Sequence, residues 1–107
     1  MEMLSLDEVA ERVGIGPTGV RDLVRSGQLL SIPTDEGPRV PAEQLDGDQL
    51  VKHLVPVLRL LRDAGYSDPE ALRWLSTPDD TLPGTPFQAL HENRATEIKR
   101  RAQALGF

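Results

Sequence analysis

Residues 4–41 read LSLDEVAERVGIGPTGVRDLVRSGQLLSIPTDEGPRVP, and their spacing decides the fold. Ser5 and Glu8 stand at the spacing of a capping box, with Leu4 and Val9 placed as the two halves of a hydrophobic staple. Leu6, Val9, Ala10 and Val13 recur at helical intervals and give one apolar stripe. Gly14 stops this helix, because the left-handed backbone that closes a helix is cheap only for glycine. Ile15 then reads as the buried peg of the turn. Pro17 falls at the first position of a second helix, where its missing N–H is unpaired anyway. That helix turns Val20, Leu23 and Val24 inward and Thr18, Arg21, Asp22 and Arg25 outward, and Gly27 ends it. Leu29–Ile32 and Arg39–Val40 flank the turn Thr34-Asp35-Glu36-Gly37, which predicts two strands and a wing.

A helix, a short turn holding a glycine and a second helix form the helix-turn-helix unit. In its DNA-binding versions the second helix enters the major groove and presents its outward side chains to base edges. The order here is apolar-Asp-Glu-apolar-Ala, then Val-Gly-Ile-Gly, then Val-x-x-Leu-Val-x-x-Gly-x-Leu, then a basic-apolar-Pro ending. Over about the first 45 residues this resembles the winged helix-turn-helix of excisionase and MerR-like proteins. The resemblance implies that fold and, with it, contact with double-stranded DNA.

Charge pulls the other way. The chain of 107 residues carries a net −5, and all of it falls in residues 1–46, where four arginines face nine carboxylates. Residues 47–107 hold eight basic and eight acidic side chains. Phosphate neutralisation supplies most non-specific affinity for nucleic acid, so a DNA reader normally shows a basic footprint. The charge must therefore be judged by face. Arg21 and Arg25 lie four apart on one helix face, Arg39 stands at the base of the wing, and most acids of the first helix can point away.

This length suits one domain or two small modules sharing a core. The expected organisation is a winged module at 1–46 and a C-terminal helical region at 47–107, packed together as one unit. The expected class is mainly α, with a small hairpin wing. The absence of cysteine removes disulfide and thiolate chemistry and fits a cytoplasmic setting. No apolar run approaches the ~20 residues of a membrane span, and the N-terminus lacks the pattern of a signal peptide.

Beyond the wing, Pro41–Leu45 predicts one helical turn, and Asp46-Gly47-Asp48 reads as a short junction. Leu50, Val51, Leu54, Val57, Leu58, Leu61 and Ala64 form a broad stripe interrupted by Pro56, so the helix is placed from about Leu54 to Ala64. Ser67 and Glu70 make a second capping box, opening a helix to about Ser76 that buries Leu72 and Trp74 or Leu75. Residues 77–84 read as a loop. Thr85 and Gln88, with Pro86 between them, open a last helix taken to run unbroken to Leu105, roughly 30 Å long.

The second half carries its own resemblance. Gly-Tyr-x-Asp, then Arg-Trp-Leu-x-Thr-Pro-Asp, then Ala-Leu-His, then Arg-Arg-Ala-Gln-Ala is similar to the C-terminal half of a small actinobacterial family of winged helix-turn-helix DNA-binding proteins. With the first half, the resemblance covers nearly the whole chain. A mycobacterial member of that family is a substrate of a serine/threonine kinase. This chain starts almost at its first helix, so a phosphorylatable N-terminal tail is expected to be absent or very short. Its second helix has Pro17 and Asp22 where related excisionase-like helices often carry arginine. The same segment more loosely resembles the toxin-binding domain of certain antitoxins.

The candidate DNA-binding residues are therefore Thr18, Arg21, Arg25 and Arg39. Arg21 and Arg25 suit guanine or phosphate; the bland reading is a solvated face paired with Asp22 or Glu11. Thr18 suits a phosphate or a base. Arg39 suits a wing contact, opposed by Asp35 and Glu36 beside it. Arg94, Lys99, Arg100 and Arg101 form a basic patch that a helix C-terminus explains without function, with a supplementary DNA-backbone role as the alternative. His53 and His91 lack metal-ligand spacing, His91 being read as a partly buried hydrogen-bonding residue and Trp74 as core. No cofactor, metal or catalytic motif is expected. Two functions remain: a DNA-binding transcriptional regulator whose C-terminal helices are a scaffold or a homodimer or protein-partner surface, and an antitoxin-like or adaptor module with weak or no DNA binding.

Overall fold

Met3–Ser5 forms a strand, β1, that runs straight into helix α1 (Leu6–Val13) in the computed structural model, which describes residues 1–106. The join is the capping box read from the sequence. Ser5 Oγ accepts from the Glu8 amide at 3.1 Å, and Glu8 Oε1 accepts from the Ser5 amide at 2.9 Å. Gly14 closes α1 at φ +74°, its amide donating to the Ala10 carbonyl at 2.9 Å. Helix α2 (Pro17–Arg25) follows with proline at its start. Val9, Ala10 and Val20 take the buried positions of this pair. Ile15 does not: it is 39% exposed and lies over the first turn of α2, its Cδ1 3.3 Å from where a Cβ on Gly19 would stand, tighter than an ordinary contact. The side chain that looked like a peg covers the outside of the turn because the inside is already filled.

The wing is β2 (Ile32–Thr34) and β3 (Gly37–Pro41), antiparallel, with Asp35 and Glu36 at the exposed tip. It gains a third strand, since β1 pairs along the other edge of β3 (Leu4 opposite Val40), giving the order β1-β3-β2. Leu29 and Leu30 are not in the sheet. They are fully buried in the connection from α2, where a chain without a ladder must satisfy its backbone otherwise. The side chain of Gln44 does so, accepting from the Leu30 amide at 2.7 Å and donating to the Leu30 carbonyl at 3.0 Å. Gln44 belongs to the single 3-10 turn Ala42–Gln44 after the wing, and it is the one buried polar side chain among the described residues.

Asp46-Gly47-Asp48, read as a junction, is a tight hairpin tip between β4 (Leu45–Asp46) and β5 (Gln49–Leu50). Helix α3 (Leu54–Asp63) starts at the expected place. Pro56 sits in its first turn, where no intrahelical N–H is owed. Helix α4 (Asp68–Ser76) opens on the Ser67–Glu70 capping box and buries Ala71 and Leu75, leaving Leu72 and Trp74 half-buried.

The expected long last helix is two helices. Helix α5 (Pro86–His91), capped by Thr85 and Gln88, ends at Asn93, whose φ of +60° puts it in the left-handed region. Asparagine is the usual non-glycine residue there. The Arg94 amide returns to the Ala89 carbonyl at 2.8 Å, and α6 (Ala95–Ala104) leaves in a new direction to pack on α3. His91 is exposed rather than partly buried, with Nε2 donating to the Glu43 carbonyl at 2.6 Å.

One core serves both halves: Val9, Val20, Leu30 and Val40 join Leu54, Leu58, Leu61, Phe87 and Ile98 in a continuous buried cluster. Polar ties reinforce it. Arg62 Nη1 donates to the Gly27 carbonyl while Nη2 pairs with Asp68 at 2.9 Å, and Arg12 Nε donates to the Gly47 carbonyl at 3.0 Å. Gly27, at φ +81°, needs glycine for its backbone conformation, and a Cβ there would also displace the Arg62 guanidinium. No helix among the described residues is long and apolar enough to cross a membrane.

Candidate nucleic-acid interface

Residues 18, 21, 22 and 25 follow the i, i+3, i+4, i+7 rule of one helix face, and in α2 all four are exposed. The opposite face is held by Val20, with Leu23 and Val24 half-buried against the core. The structure thus brings Thr18, Arg21 and Arg25 together as the sequence placed them, on a helix whose orientation is fixed by packing. Arg21 forms no ion pair among the described residues. Arg25 Nη1 lies 3.5 Å from Asp22 Oδ1, with 78% and 64% of the two side chains exposed. Such an exposed pair contributes at most about 1 kcal/mol, so a ligand can take either partner from the other at little cost.

The start of α2 differs from those of α1, α4 and α5. Like α3, it has no side-chain cap and no acid in its first turn, whereas α1, α4 and α5 are each closed by a capping box. The amide donors and the positive end of the helix dipole are left beside the Thr18 hydroxyl without an internal anion.

Arg39 stands on a different element. It lies in β3 opposite Ser5 and Ile32, half-buried, with Nη1 donating to the Pro38 carbonyl at 3.0 Å. It also lies near Glu8, whose carboxyl is held below the usual glutamate range chiefly by the Ser5 amide and hydroxyl, with a small contribution from Arg39. Arg39 is at the wing base as expected but tied back along its own strand. Beyond it the carboxylates of Asp35 and Glu36 are open to solvent.

The basic patch of the last helix is internally matched. Arg94 pairs with Glu92, Arg100 with Glu97 at 3.4 Å, and Arg101 with both Glu97 at 2.9 Å and Asp79 at 3.1 Å. Lys99 Nζ donates to His53 Nδ1 at 2.8 Å. Asp79 is held below the usual aspartate range by the Thr81 hydroxyl and amide, then by Arg101. These contacts anchor the 77–84 loop, and they account for the patch without a ligand.

Two family models divide the chain at the β4–β5 hairpin. The wHTH domain of DNA-binding protein Rv2175c matches residues 1–45, and the Rv2175c C-terminal domain of unknown function matches residues 51–106. The chain belongs to the Rv2175c family. The DNA-binding protein Rv2175c of Mycobacterium tuberculosis is 36% identical over 115 residues, spanning 95% of this chain and 79% of the relative. The NMR structure of Rv2175c superposes with a TM-score of 0.89 at 34% identity, covering 99% of this chain and 82% of that one. The winged helix-turn-helix with packed C-terminal helices is thus the fold of the Rv2175c family. Reading from the sequence missed Gln44, which positions the connection between α2 and the wing. Nothing in its neighbours marks it, since a glutamine in a short polar turn is ordinarily solvated.

Proposed function

We propose that this chain binds double-stranded DNA by seating α2 in the major groove, and that it acts as a transcriptional regulator in the cytoplasm. The observation that carries the reading is the exposed face of α2, where Thr18, Arg21 and Arg25 project from a helix fixed on its other side by Val20. The family relative whose name describes it as a DNA-binding protein supports the same reading. In this arrangement Arg21 and Arg25 donate to guanine edges or phosphates. The Thr18 hydroxyl and the uncapped amides at the start of α2 receive a phosphate, and Arg39 reaches the backbone beside the wing.

Arg21→Ala combined with Arg25→Ala tests this in a salt-dependent mobility-shift assay on genomic fragments. Binding by the double variant should be lost while the circular dichroism spectrum is kept, and a single substitution that removes one phosphate contact should lower the salt slope by about one. Unchanged affinity with an unchanged spectrum overturns the seating of α2.

The C-terminal helices serve in this proposal as scaffold and as the surface for a second copy or a protein partner. Trp74 lies half-exposed on α4 and, with Tyr66, Leu82 and Pro86, lines a cleft of about 480 Å³. That cleft favours the second reading, an adaptor-like module. Light scattering on the purified chain, with and without DNA, separates a dimer from a monomer that needs another partner.

A further inference from the structure

We infer that Asp22 reads bases, and that with Arg21 and Arg25 it makes this chain select G·C pairs at the centre of its site. The inference rests on the seating of α2 proposed above and names what that helix recognises. Guanine offers the major groove two acceptors, cytosine a single amino donor, adenine an acceptor beside a donor, and thymine an acceptor beside a methyl group. The exposed face of α2 is specialised against that menu. Its two guanidinium groups only donate, and its carboxylate only accepts. It carries no asparagine or glutamine, the side chains that pair bidentately with adenine. The nearest amide, Gln28, lies beyond the helix end and is already donating to Ser26 Oγ at 2.8 Å.

Asp22 and Arg25 already stand side by side at 3.5 Å. A guanidinium next to a carboxylate is the donor–acceptor complement of one G·C pair, the first facing guanine O6 and N7 and the second facing the cytosine amino group. With adenine in guanine's place and thymine in cytosine's, the guanidinium would meet the adenine amino donor and the carboxylate the thymine O4 acceptor, both repelled; in the reverse orientation the guanidinium would find one acceptor, thymine O4, in place of guanine's two. Arg21 lies one turn earlier, about 6 Å along the axis, so for a helix lying along the groove it addresses a guanine roughly two base steps away. Asp22 thus works largely by exclusion. Near phosphates a carboxylate is unfavourable, and only a base amino group placed under it, with guanine acceptors under the neighbouring guanidinium, offsets that, so it lowers affinity for most sequences more than for the correct one.

The test is selection of the full chain on a randomised duplex library, followed by titration of the winning duplex and of single-base variants of it. Asp22→Asn is the informative substitution, because it removes the charge at constant size on an exposed position and can pair with adenine. The wild type should select a core of G·C pairs with two guanines about two steps apart. Asp22→Asn should bind a random duplex several-fold more tightly and lose about tenfold discrimination at one base pair, while Arg21 keeps its own guanine preference. An A·T core, or a variant with unchanged consensus and unchanged random-duplex affinity, overturns the inference while leaving the groove seating intact. A wild type that retains no duplex removes both, and that result is recognised by the absence of any winner.

Discussion

Replacing Gln44 with leucine should destabilise this chain more than any substitution on its surface. The Gln44 side chain is fully buried. Its Oε1 accepts from the Leu30 amide at 2.7 Å, and its Nε2 donates to the Leu30 carbonyl at 3.0 Å and more weakly to the Pro41 carbonyl at 3.4 Å. Leucine has a similar volume, so the change opens little cavity. It strands one buried amide and one buried carbonyl instead, each at about 1–3 kcal/mol, or roughly 2–6 kcal/mol together. For a domain of this size 1 kcal/mol moves the melting temperature by about 4–8 °C, so the midpoint should fall by at least ~8 °C. Thermal circular dichroism reads the loss, and amide exchange at Leu30 shows whether the clamp is its source. Gln44→Glu sharpens the assignment. Its second carboxylate oxygen faces the Leu30 carbonyl and cannot donate until protonated, so that variant should recover stability as the pH is lowered. A midpoint within about 3 °C of wild type for Gln44→Leu would refute the reasoning.

Three further outcomes are expected. The shared core and the ties Arg62–Gly27 and Arg12–Gly47 imply a single thermal transition by calorimetry and a residue 1–46 fragment that does not fold alone; two separated transitions would contradict this. Glu8 and Glu70 have their carboxyls lowered from 4.5 by the amides and hydroxyls of Ser5 and Ser67. The unfolded chain therefore takes up protons first, and the capping contribution is complete above about pH 4.5 and lost as the pH falls through the lowered values. Ser5→Ala with Ser67→Ala should flatten that acid slope in a melting series. Asp35→Asn with Glu36→Gln should tighten DNA binding, most at low salt, because both carboxylates are exposed at the wing tip; no change in a titration would mean that the wing faces away from the duplex.

The parts of this fold that the sequence discloses are those set by local chemistry. All three Ser/Thr-x-x-Glu/Gln boxes form, and Pro17, Pro56 and Pro86 each stand in a first turn, because capping and proline geometry depend on a few adjacent residues. The parts that stay hidden depend on partners distant in the chain. Strand β1 is three residues long and exists only because β3 returns to pair with it. Gln44 is buried only because Leu30 passes beside it without a ladder. The break at Asn93 carried a local mark, a residue tolerant of the left-handed region, but apolar periodicity on both sides outweighed it. For the interface, the outward face of α2 was legible from helical period. That Arg39 is tied to the Pro38 carbonyl, and that the C-terminal arginines are matched by Glu92, Glu97 and Asp79, was not.

That matching bears on how a chain of net charge −5 can read DNA at all. Arg12 and Arg62 are spent on backbone carbonyls, and Arg94, Arg100 and Arg101 on carboxylates. The carboxylates beside Arg62, Arg94, Arg100 and Arg101 offset their field, while Arg12, held against a neutral carbonyl, keeps its charge but is fixed at the β4–β5 tip. On the exposed face of α2, Arg21 has no ion-pair partner among the described residues and Arg25 has only a loose one. Non-specific attraction, which scales with the number of phosphates neutralised, must then be small, near the weak end of the usual 10⁻⁴–10⁻⁶ M range. A weak background has a consequence for recognition. The quantity that decides occupancy among many competing sequences is the ratio of specific to non-specific binding, not the specific affinity alone. When the background is low, a few contacts to base edges from one rigid helix face carry nearly all of that ratio. The acidic residues of the first half then lower the denominator of the specificity ratio as well as the affinity. A helix that presents two arginines and an aspartate in a fixed order is suited to supplying the numerator.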